Sequence, residues 1–269
     1  MPATEIVDPT QATARLADCV REAGALALSM FGAPINNWTK AGSSPVCDAD
    51  IAVDQLLRER LTGDGAAIAW LSEESADDLA RLRARYVWIV DPIDGTRAYL
   101  AGAPDWTVSA ALVENGRPIA ACLYAPVTDE LFMATVNAGA ACNASPIATT
   151  KGGSLAQTRI AGPKSYLDRL AAVAPPFTAL PRVRSLALRL ARVAQGACDI
   201  AIAGIDSHDW DLAAADLLVH EAGGALTPVG GSAVIYNRPV PRHGMLVAAG
   251  RDRHAALLEL FRDERLASL

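Results

Sequence analysis

The stretch Trp88-Ile89-Val90-Asp91-Pro92-Ile93-Asp94-Gly95-Thr96 joins an apolar run to two carboxylates that lie three residues apart. The apolar run predicts a buried strand, and Asp91 and Asp94 follow at its end. The proline between them restricts the backbone, and Gly95 lets a ligand approach it closely. Thr96 brings a hydroxyl to a predicted helix start, where free amides favour an anion. The stretch therefore places ligands for hard cations beside amides for phosphate, although a plain strand, turn and N-cap would also explain it.

The composition of the 269 residues predicts a globular chain with a large core, since 51% of them are hydrophobic. The net charge of −6 argues against a nucleic-acid surface, but bound divalent metals would still allow a phosphate substrate. The five scattered cysteines form no Cys-x-x-Cys pair and predict free thiols in a reducing compartment. We see no basic leader and no apolar run of about 20 residues, so we expect a cytoplasmic protein that does not enter a membrane.

Periodicity predicts helices followed by an antiparallel meander in the first half of the chain. The motif Asp8-Pro9-Thr10-Gln11 is typical of a helix start, and apolar residues at helical spacing continue to Met30. A second helix is expected from about Asp48 or Asp50, followed by a strand over 66–71. Hairpins are then indicated by Asn-Gly and Asn-Ala-Gly turn signals. Residues 77–85 carry mixed charges and are expected to form an exposed helical segment.

The second half alternates between short strands and helices, which predicts an α/β layer. The expected strands are 159–162, 199–203 and 245–249, and the expected helices are 166–173, 185–195, 210–222 and 251–262. Prolines at Pro146 and at Pro175-Pro176 are both possible connections between the halves. We take residues 1–145 as an α+β half with an antiparallel sheet and residues 146–269 as an α/β half.

Acidic residues stand at four predicted element ends: Asp50, Glu73-Glu74, Asp91 with Asp94, and Asp211. Each has an ordinary structural explanation when it is taken alone. Acids in a first helical turn complement the helix dipole, Asp209 would serve as an N-cap, and paired glutamates are common on solvated surfaces. A shared function requires the fold to bring them together.

The set and order of these motifs resemble the inositol monophosphatase family of magnesium-dependent, lithium-sensitive phosphatases. The matching stretches are 45–50, 71–75, 88–96 and 209–214, followed by Glu221-Ala222-Gly223-Gly224. The resemblance runs from about residue 10 to the C-terminus. It implies a layered α-β-α-β-α sandwich of mixed α+β and α/β character, with the site between the two halves. Because the family commonly forms dimers, it also implies a homodimer.

The resemblance also implies a set of metal ligands. Glu73, Asp91 and the Ile93 carbonyl would hold a first Mg²⁺, and Asp91, Asp94 and Asp211 would hold a second. A third, weaker ion could share Glu73, which gives two or three ions per site. The chemistry agrees independently, because a phosphomonoester dianion repels hydroxide until divalent cations neutralise it. Carboxylates suit magnesium, and the four histidines form no zinc pattern.

The catalytic roles follow from the same resemblance. Thr96, paired with Asp50, would orient the attacking water and help to deprotonate it. Glu74 would support the metal ligands or assist the same water. The backbone amides of Gly95 and Thr96 would take the phosphate.

The chain departs from the family on the side that reads the sugar. Cys47 stands where the family usually has threonine, and Arg184-Ser185 stands where many relatives have Gly-Ser. Animal members place a glutamate that contacts inositol seven residues before the last metal-binding aspartate, and here that position is Gly204. The metal ligands are therefore intact, whereas the contacts to an inositol ring are not.

These departures make a small phosphorylated substrate other than inositol phosphate the leading expectation. The runs Asp-Gly-Thr-Arg-Ala-Tyr and Asp-Trp-Thr-Val-Ser look more like bacterial 3'(2'),5'-bisphosphate nucleotidases, which convert 3'-phosphoadenosine 5'-phosphate to AMP and phosphate. Arg97, Lys164 and Arg184 are candidates to contact a second phosphate or the ribose. Inositol 1-phosphate and then histidinol phosphate are the alternative substrates.

Other classes of protein remain as alternatives to a phosphatase. A catalytically silent metal- or phosphate-binding protein would be favoured by loss of the acidic motifs, but all of them are present. A serine hydrolase is disfavoured because no Gly-x-Ser-x-Gly elbow occurs, and a P-loop kinase because no Walker motif occurs.

Overall fold

The computed structural model describes residues 6–40, 45–63 and 68–262. The α-helices in these ranges are α1 (Pro9–Met30), α2 (Asp48–Thr62), α3 (Thr96–Leu100), α4 (Lys164–Ala171), α5 (Leu186–Ala194), α6 (Asp209–Glu221) and α7 (Arg251–Phe261). A short 3-10 helix spans Leu79–Arg83. Within the described ranges, no helix is both long and apolar enough to cross a bilayer.

The larger sheet has seven strands in the same spatial order as in the chain. A separate antiparallel pair, β1 (Asn37–Thr39) and β2 (Pro45–Cys47), precedes α2. The large sheet consists of β3 (Ala69–Ser72), β4 (Tyr86–Asp94), β5 (Thr107–Glu114), β6 (Arg117–Ala125), β7 (Glu130–Thr135), β8 (Gly139–Cys142) and β9 (Ser145–Pro146). Only the β3–β4 pair in this sheet is parallel, so the predicted antiparallel meander is confirmed.

The smaller sheet has five strands, ordered β11-β10-β12-β16-β14. The strands of the second half are β10 (Arg159–Ala161), β11 (Thr178–Ala179), β12 (Ile200–Ala203), β13 (Ser207–His208), β14 (Gly224–Pro228), β15 (Arg242–His243) and β16 (Leu246–Gly250). The two-residue strands β13 and β15 pair with each other outside this sheet. Strand β14 directly follows the Gly223-Gly224 turn and was not predicted, because its sequence carries a weak strand pattern.

Three apolar cores separate the layers, and the alternation of side chains along each strand builds them. On β4, Trp88 and Val90 point to the core shared with α1 and α2, whereas Val87 and Ile89 point to the core shared with α5 and α6. The same central core covers one face of the smaller sheet, and α4 and α7 cover its other face. The predicted α-β-α-β-α sandwich is therefore confirmed. The division at residues 145 and 146 stays a prediction.

Most predicted elements are found within a few residues of their expected ends. Asp8 caps α1 as expected and accepts a 2.8 Å hydrogen bond from the Thr10 amide. The expected strand over 66–71 is β3, although residues 66–67 lie outside the described ranges. All five cysteines are buried free thiols, as the spacing predicted.

The prediction of an exposed helical segment over 77–85 is confirmed only in part. The segment forms only a 3-10 helix, and Arg81 is 2% exposed. Its guanidinium donates to Asp77 at 2.6 and 2.8 Å and to the Asn237 side-chain oxygen at 2.7 Å. A buried cation needs such partners, and Asn237 is supplied by a distant part of the chain.

The prediction that Asp209 is the N-cap of α6 is wrong. The N-cap is His208, and Asp209 is the first helical residue with its side chain fully buried. Its carboxylate accepts hydrogen bonds from the Asn237 amide and from the His243 ring, both at 2.7 Å. Asp209 therefore anchors the start of α6 to the segment that precedes β16.

Candidate active site

A pocket of about 500 Å³ is lined by acidic residues from the ends of three elements. Its lining consists of Pro45, Glu73, Asp91, Asp94, Gly95, Thr96, Arg97, Arg182, Arg184, His208, Trp210 and Asp211. The acidic members come from the ends of β3 and β4 and from the start of α6, which lies between the two sheets. We call these acids the acidic floor: Glu73, Asp91, Asp94 and Asp211.

Three carboxylates of the acidic floor form one cluster. Asp91, Asp94 and Asp211 each offer an oxygen, and these three oxygens lie within 4.8 Å of one another. Asp91 is 1% exposed, and its Oδ1 has no hydrogen-bond partner among the described residues. Burial, followed by repulsion from the neighbouring acids, raises the pKa of Asp91 well above its usual range. The cluster thus holds buried negative charge that the described side chains do not compensate.

Asp94 is fixed by the start of α5. One oxygen accepts hydrogen bonds from the Ser185 hydroxyl and from the Ala187 amide at 2.7 Å, and the other accepts from the Leu186 amide at 3.1 Å. Burial raises the pKa of Asp94 to about 6, although these hydrogen bonds oppose the rise. The sequence signal for this contact was Ser185, which is a typical N-cap before an apolar helix.

Asp50 and Asp211 occupy equivalent positions in two different helices. Each is the third residue of its helix, α2 or α6, and completes a capping box with the residue before the helix. Asp211 accepts a 2.6 Å hydrogen bond from the His208 amide, and Asp50 accepts one of 2.8 Å from the Cys47 amide. The Cys47 thiol also donates to Asp50, at 2.9 Å. Cys47 thus supplies the donor for which the family usually uses threonine.

The Thr96 hydroxyl connects the central stretch to Asp50. Its Oγ1 lies 3.1 Å from Asp50 Oδ1 and 3.1 Å from the Ile93 carbonyl oxygen. Burial raises the pKa of Asp50, whereas the hydrogen bonds from Cys47 and Thr96 oppose this rise. Asp50 and Ile93 are themselves fully covered, so they reach the pocket only through their contacts. The pairing of Asp50 with Thr96 is the arrangement that the family resemblance implied.

Gly95 lies directly before α3 and needs its lack of a side chain. Its φ of +100° is in the left-handed region, and an added Cβ would come within 3.0 Å of the Asp105 carbonyl oxygen. The tight turn brings Thr96 and Arg97 to the pocket wall next to Asp94.

Glu74 faces away from the pocket and pairs with Lys40, whose role the sequence did not reveal. The Lys40 ammonium lies 2.6 Å from Glu74 and 3.5 Å from Glu73. Burial raises the pKa of Glu74 to about 7, although Lys40 opposes the rise. Lys40 starts the predicted loop over 40–45, of which residues 41–44 lie outside the described ranges.

Asp54 clamps the turn that carries both glutamates. It accepts hydrogen bonds of 2.5 Å from the hydroxyls of Ser72 and Ser75, which flank Glu73 and Glu74. A sequence pattern of Ser-Glu-Glu-Ser cannot show this contact, because Asp54 belongs to the neighbouring helix α2.

Three arginines also line the pocket, and we call them the basic wall: Arg97, Arg182 and Arg184. Arg184 is held by Asp105, which accepts from its backbone amide at 2.6 Å and from its guanidinium at 3.2 Å. Arg182 was not predicted, whereas Arg97 and Arg184 were. Lys164 lines a neighbouring pocket, where it pairs with Asp168 at 2.7 Å, and its contact with a second phosphate or the ribose stays a prediction.

An aromatic pair completes the lining beside the acidic floor. The rings of His208 and Trp210 stack with centroids 4.6 Å apart and an angle of 3° between their planes. Both residues belong to the His-Asp-Trp-Asp run, whose acidic members alone were considered in the sequence. Flat ring faces of this kind favour a planar, apolar part of a ligand.

The donor set fits divalent magnesium. Carboxylate oxygens are the ligands that Mg²⁺ prefers, and the unpartnered Asp91 oxygen lies in the middle of the cluster. Divalent cations would compensate the buried negative charge that raises the pKa of Asp91 and Asp211. Within the described residues, no histidine or cysteine joins this cluster, so a zinc-type ligand set is not formed.

Comparison with known proteins agrees with this geometry. The model of the family described as "Inositol monophosphatase family" matches residues 8–266. An inositol monophosphatase of Dictyostelium discoideum is 33% identical over 237 residues, which cover 83% of this chain and 87% of that protein. A histidinol-phosphatase of Mycobacterium tuberculosis is 34% identical over 220 residues, covering 74% and 82%.

Two further proteins extend the comparison to structure and to the predicted nucleotidase branch. The crystal structure of the extragenic suppressor protein suhB from Bartonella henselae has a TM-score of 0.83 and 26% identity, and covers 94% of this chain and 99% of its own. A 3'(2'),5'-bisphosphate nucleotidase CysQ of Buchnera aphidicola is 26% identical over 236 residues, which cover 83% of this chain and 86% of that protein. The chain therefore belongs to the inositol monophosphatase family, whose members are phosphatases that hydrolyse phosphomonoesters and generally use Mg²⁺.

Proposed function

We propose that the chain hydrolyses 3'(2'),5'-bisphosphate nucleotides, converting 3'-phosphoadenosine 5'-phosphate to AMP and phosphate. The observation that carries this choice is the basic wall, which lines the same pocket as the acidic floor. A substrate with a second anionic group gains from the arginines, whereas inositol 1-phosphate offers them only hydroxyls. Histidinol phosphate carries an ammonium group, which three guanidinium groups would repel.

The position of Gly204 supports the same choice. A Cβ at this residue would meet the ring of Tyr166 at 3.6 Å and the ring of Pro163 at 3.7 Å. Where animal members carry the glutamate that contacts inositol, this chain therefore presents two ring side chains and no carboxylate at that position. The stacked rings of His208 and Trp210 offer a flat face to a nucleobase, which inositol lacks.

We assign the metal ligands according to the family pattern. Glu73, Asp91 and the Ile93 carbonyl would hold one Mg²⁺, and Asp91, Asp94 and Asp211 a second, with a third sharing Glu73. When bound, the ions supply the positive charge that offsets the phosphate dianion and lower the pKa of the attacking water. The chain contributes rigid placement, since the helix starts of α5 and α6 hold Asp94 and Asp211.

Asp50 and Thr96 handle the proton of the attacking water. In our proposal Thr96 Oγ1 accepts a proton from the water while its own proton passes to Asp50 Oδ1, 3.1 Å away. The water oxygen forms a bond to phosphorus as the ester P–O bond breaks, and the ribose oxygen then takes a proton from solvent. The amides of Gly95 and Thr96 hold the phosphate, and Glu74 supports Glu73 from the adjacent turn position.

We further infer that the protein acts as a homodimer in the cytoplasm. Both inferences rest on the family resemblance and on the free cysteines. Sedimentation analysis of the purified chain tests the first, since a monomer at micromolar concentration would contradict it. Fractionation of cells that express the chain tests the second.

A substrate comparison tests the proposed function. Phosphate release is measured with Mg²⁺ from 3'-phosphoadenosine 5'-phosphate, inositol 1-phosphate and histidinol phosphate, each with and without lithium. We expect the highest kcat/KM for the nucleotide and suppression of its hydrolysis by lithium. A preference for inositol 1-phosphate would show that Gly204 and the basic wall do not set the substrate. Absence of turnover on all three, despite bound Mg²⁺, would favour a silent binding protein.

A further inference from the structure

A second pocket of about 450 Å³ adjoins the active-site pocket and carries an excess of positive charge. Three cations line it, Lys164, Arg182 and Arg189, against one carboxylate, Asp168. Arg182 lines both pockets, so the two cavities meet at its side chain. On a chain with a net charge of −6, such a concentration of cations calls for an explanation.

Arg189 is the unusual member of this group. Its guanidinium donates to the carbonyl oxygens of Ile202 at 3.1 Å and Val183 at 2.8 Å. Neither contact is with a carboxylate, and no acid of the described ranges forms an ion pair with it. Burial lowers the pKa of Arg189, while the charge of Asp94 opposes this. Two backbone carbonyls and the charge of Asp94, which lies beyond ion-pair distance, stabilise this half-buried cation, and a bound anion beside it would add to them.

The neighbouring cations do not belong to a network of ion pairs that would stabilise the fold. Lys164 and Asp168 form an exposed i,i+4 pair, which contributes little to stability. Arg182 is exposed and forms no ion pair within the described ranges. Lys164 also begins α4, whose start favours an anion electrostatically. Arg182 is therefore available to a ligand and the exposed pair of Lys164 costs little to open, whereas Arg189 also ties α5 to β12 through the Ile202 carbonyl.

We propose that Lys164, Arg182 and Arg189 form an anion subsite that binds the second phosphate of the substrate. This inference rests on the proposed function and deepens it, because it names the part of the protein that would select a bisphosphate over a monophosphate. The scissile phosphate lies at the acidic floor, and the remote phosphate reaches past Arg182 into the second pocket. Lys164 would thus contact the second phosphate in this second pocket, which is one of the contacts that the sequence analysis expected of it.

Steady-state kinetics with a matched pair of substrates test the subsite. Arg182→Ala, Lys164→Ala and Arg189→Gln are compared with the unmodified protein on 3'-phosphoadenosine 5'-phosphate and on adenosine 3'-monophosphate, which lacks the 5'-phosphate. We expect each variant to lose about 10-fold in kcat/KM on the bisphosphate. Lys164→Ala and Arg189→Gln should keep their rates on the monophosphate within about 2-fold, and Arg182→Ala, which also changes the active-site pocket, should lose more on the bisphosphate than on the monophosphate. Arg169→Ala, on the same helix as Lys164, removes one charge outside the pocket and should change neither.

A binding measurement separates failure of the subsite from failure of the proposed function. Inorganic phosphate is titrated calorimetrically in EDTA, where the acidic floor repels anions. Binding that is lost in the exposed-residue variants Arg182→Ala and Lys164→Ala supports the subsite even if no nucleotide is hydrolysed. Hydrolysis of the bisphosphate that all three variants retain would overturn the subsite and leave the proposed function standing. Equal losses on both substrates would also overturn it, since Arg182 would then act only in the main pocket.

Discussion

The acidic floor and the basic wall share one pocket but are built in opposite ways. The acids stand at strand ends and a helix start; Asp91 and Asp94 are buried, and backbone amides hold Asp94 and Asp211. The arginines Arg182 and Arg184 are exposed and belong to the segment just before α5. In our proposal, the chemistry that every phosphomonoester needs is thus fixed by the core, whereas substrate choice rests on side chains that can change without disturbing it.

The largest expected effect comes from removing one charge of the acidic floor. Asp94→Asn keeps the shape of the side chain but removes a metal ligand, so we expect kcat/KM to fall about 1,000-fold, or about 4 kcal/mol of barrier. Phosphate release with saturating Mg²⁺ measures this, and the exposed Asp78→Asn serves as the control. Retained turnover in Asp94→Asn would show that the floor is not the catalytic centre.

A smaller loss should follow when the support of the floor is weakened. Ser185→Ala deletes the hydroxyl that donates to Asp94 but leaves the two backbone donors of α5 in place. We expect the Mg²⁺ concentration for half-maximal activity to rise about 30-fold, with kcat at saturating Mg²⁺ changed much less. Ser154→Ala, remote from the pocket, is the matched control. An unchanged Mg²⁺ dependence would mean that the backbone amides alone fix Asp94.

The basic wall should respond in KM and not in kcat. Arg184→Ala removes a guanidinium but keeps the amide contact to Asp105. We expect KM for 3'-phosphoadenosine 5'-phosphate to rise about 10-fold with kcat nearly constant, because the group binds a part of the substrate that does not react. A fall in kcat instead would show that the basic wall takes part in the chemical step, which we assign to the acidic floor alone.

The smallest effect concerns a buried acid that lies outside both regions. Asp216 on α6 accepts a 3.0 Å hydrogen bond from the Tyr236 hydroxyl, and burial raises its pKa to about 7. The neutral acid is compatible with burial, so its contribution to stability is complete below pH ~4 and is lost as the pH rises through about 7. Relative to Asp216→Asn, the free energy of unfolding should therefore fall as the pH rises across this window.

Chemical denaturation in EDTA at pH 4.5 and pH 8 checks this prediction. Parallel pH dependence of the two proteins would contradict it. Asp216 thus differs from the acidic floor: burial raises the pKa of both Asp216 and Asp91, but repulsion from neighbouring acids also raises that of Asp91.

Local patterns predicted the acids but not their surroundings. Asp91 and Asp94 follow a strand whose apolar run can be read directly, and Asp211 follows a helix-start pattern. The contacts of Arg81 with Asn237 and of Asp54 with Ser72 join distant segments, so no local pattern contains them. The pocket that Lys164 lines could not be predicted for the same reason, because it depends on how α4 packs against the smaller sheet.

Asp211 would link metal binding to the stability of the whole fold. Asp91 ends a strand of the large sheet, whereas Asp211 stands on the helix that packs between the sheets. An unfolded chain cannot keep these carboxylates together, so Mg²⁺ bound by both binds the native state alone. At 100 times its Kd such an ion stabilises the fold by about 2.7 kcal/mol. In our proposal, the magnesium concentration of its surroundings therefore raises the melting temperature of this enzyme as well as its rate.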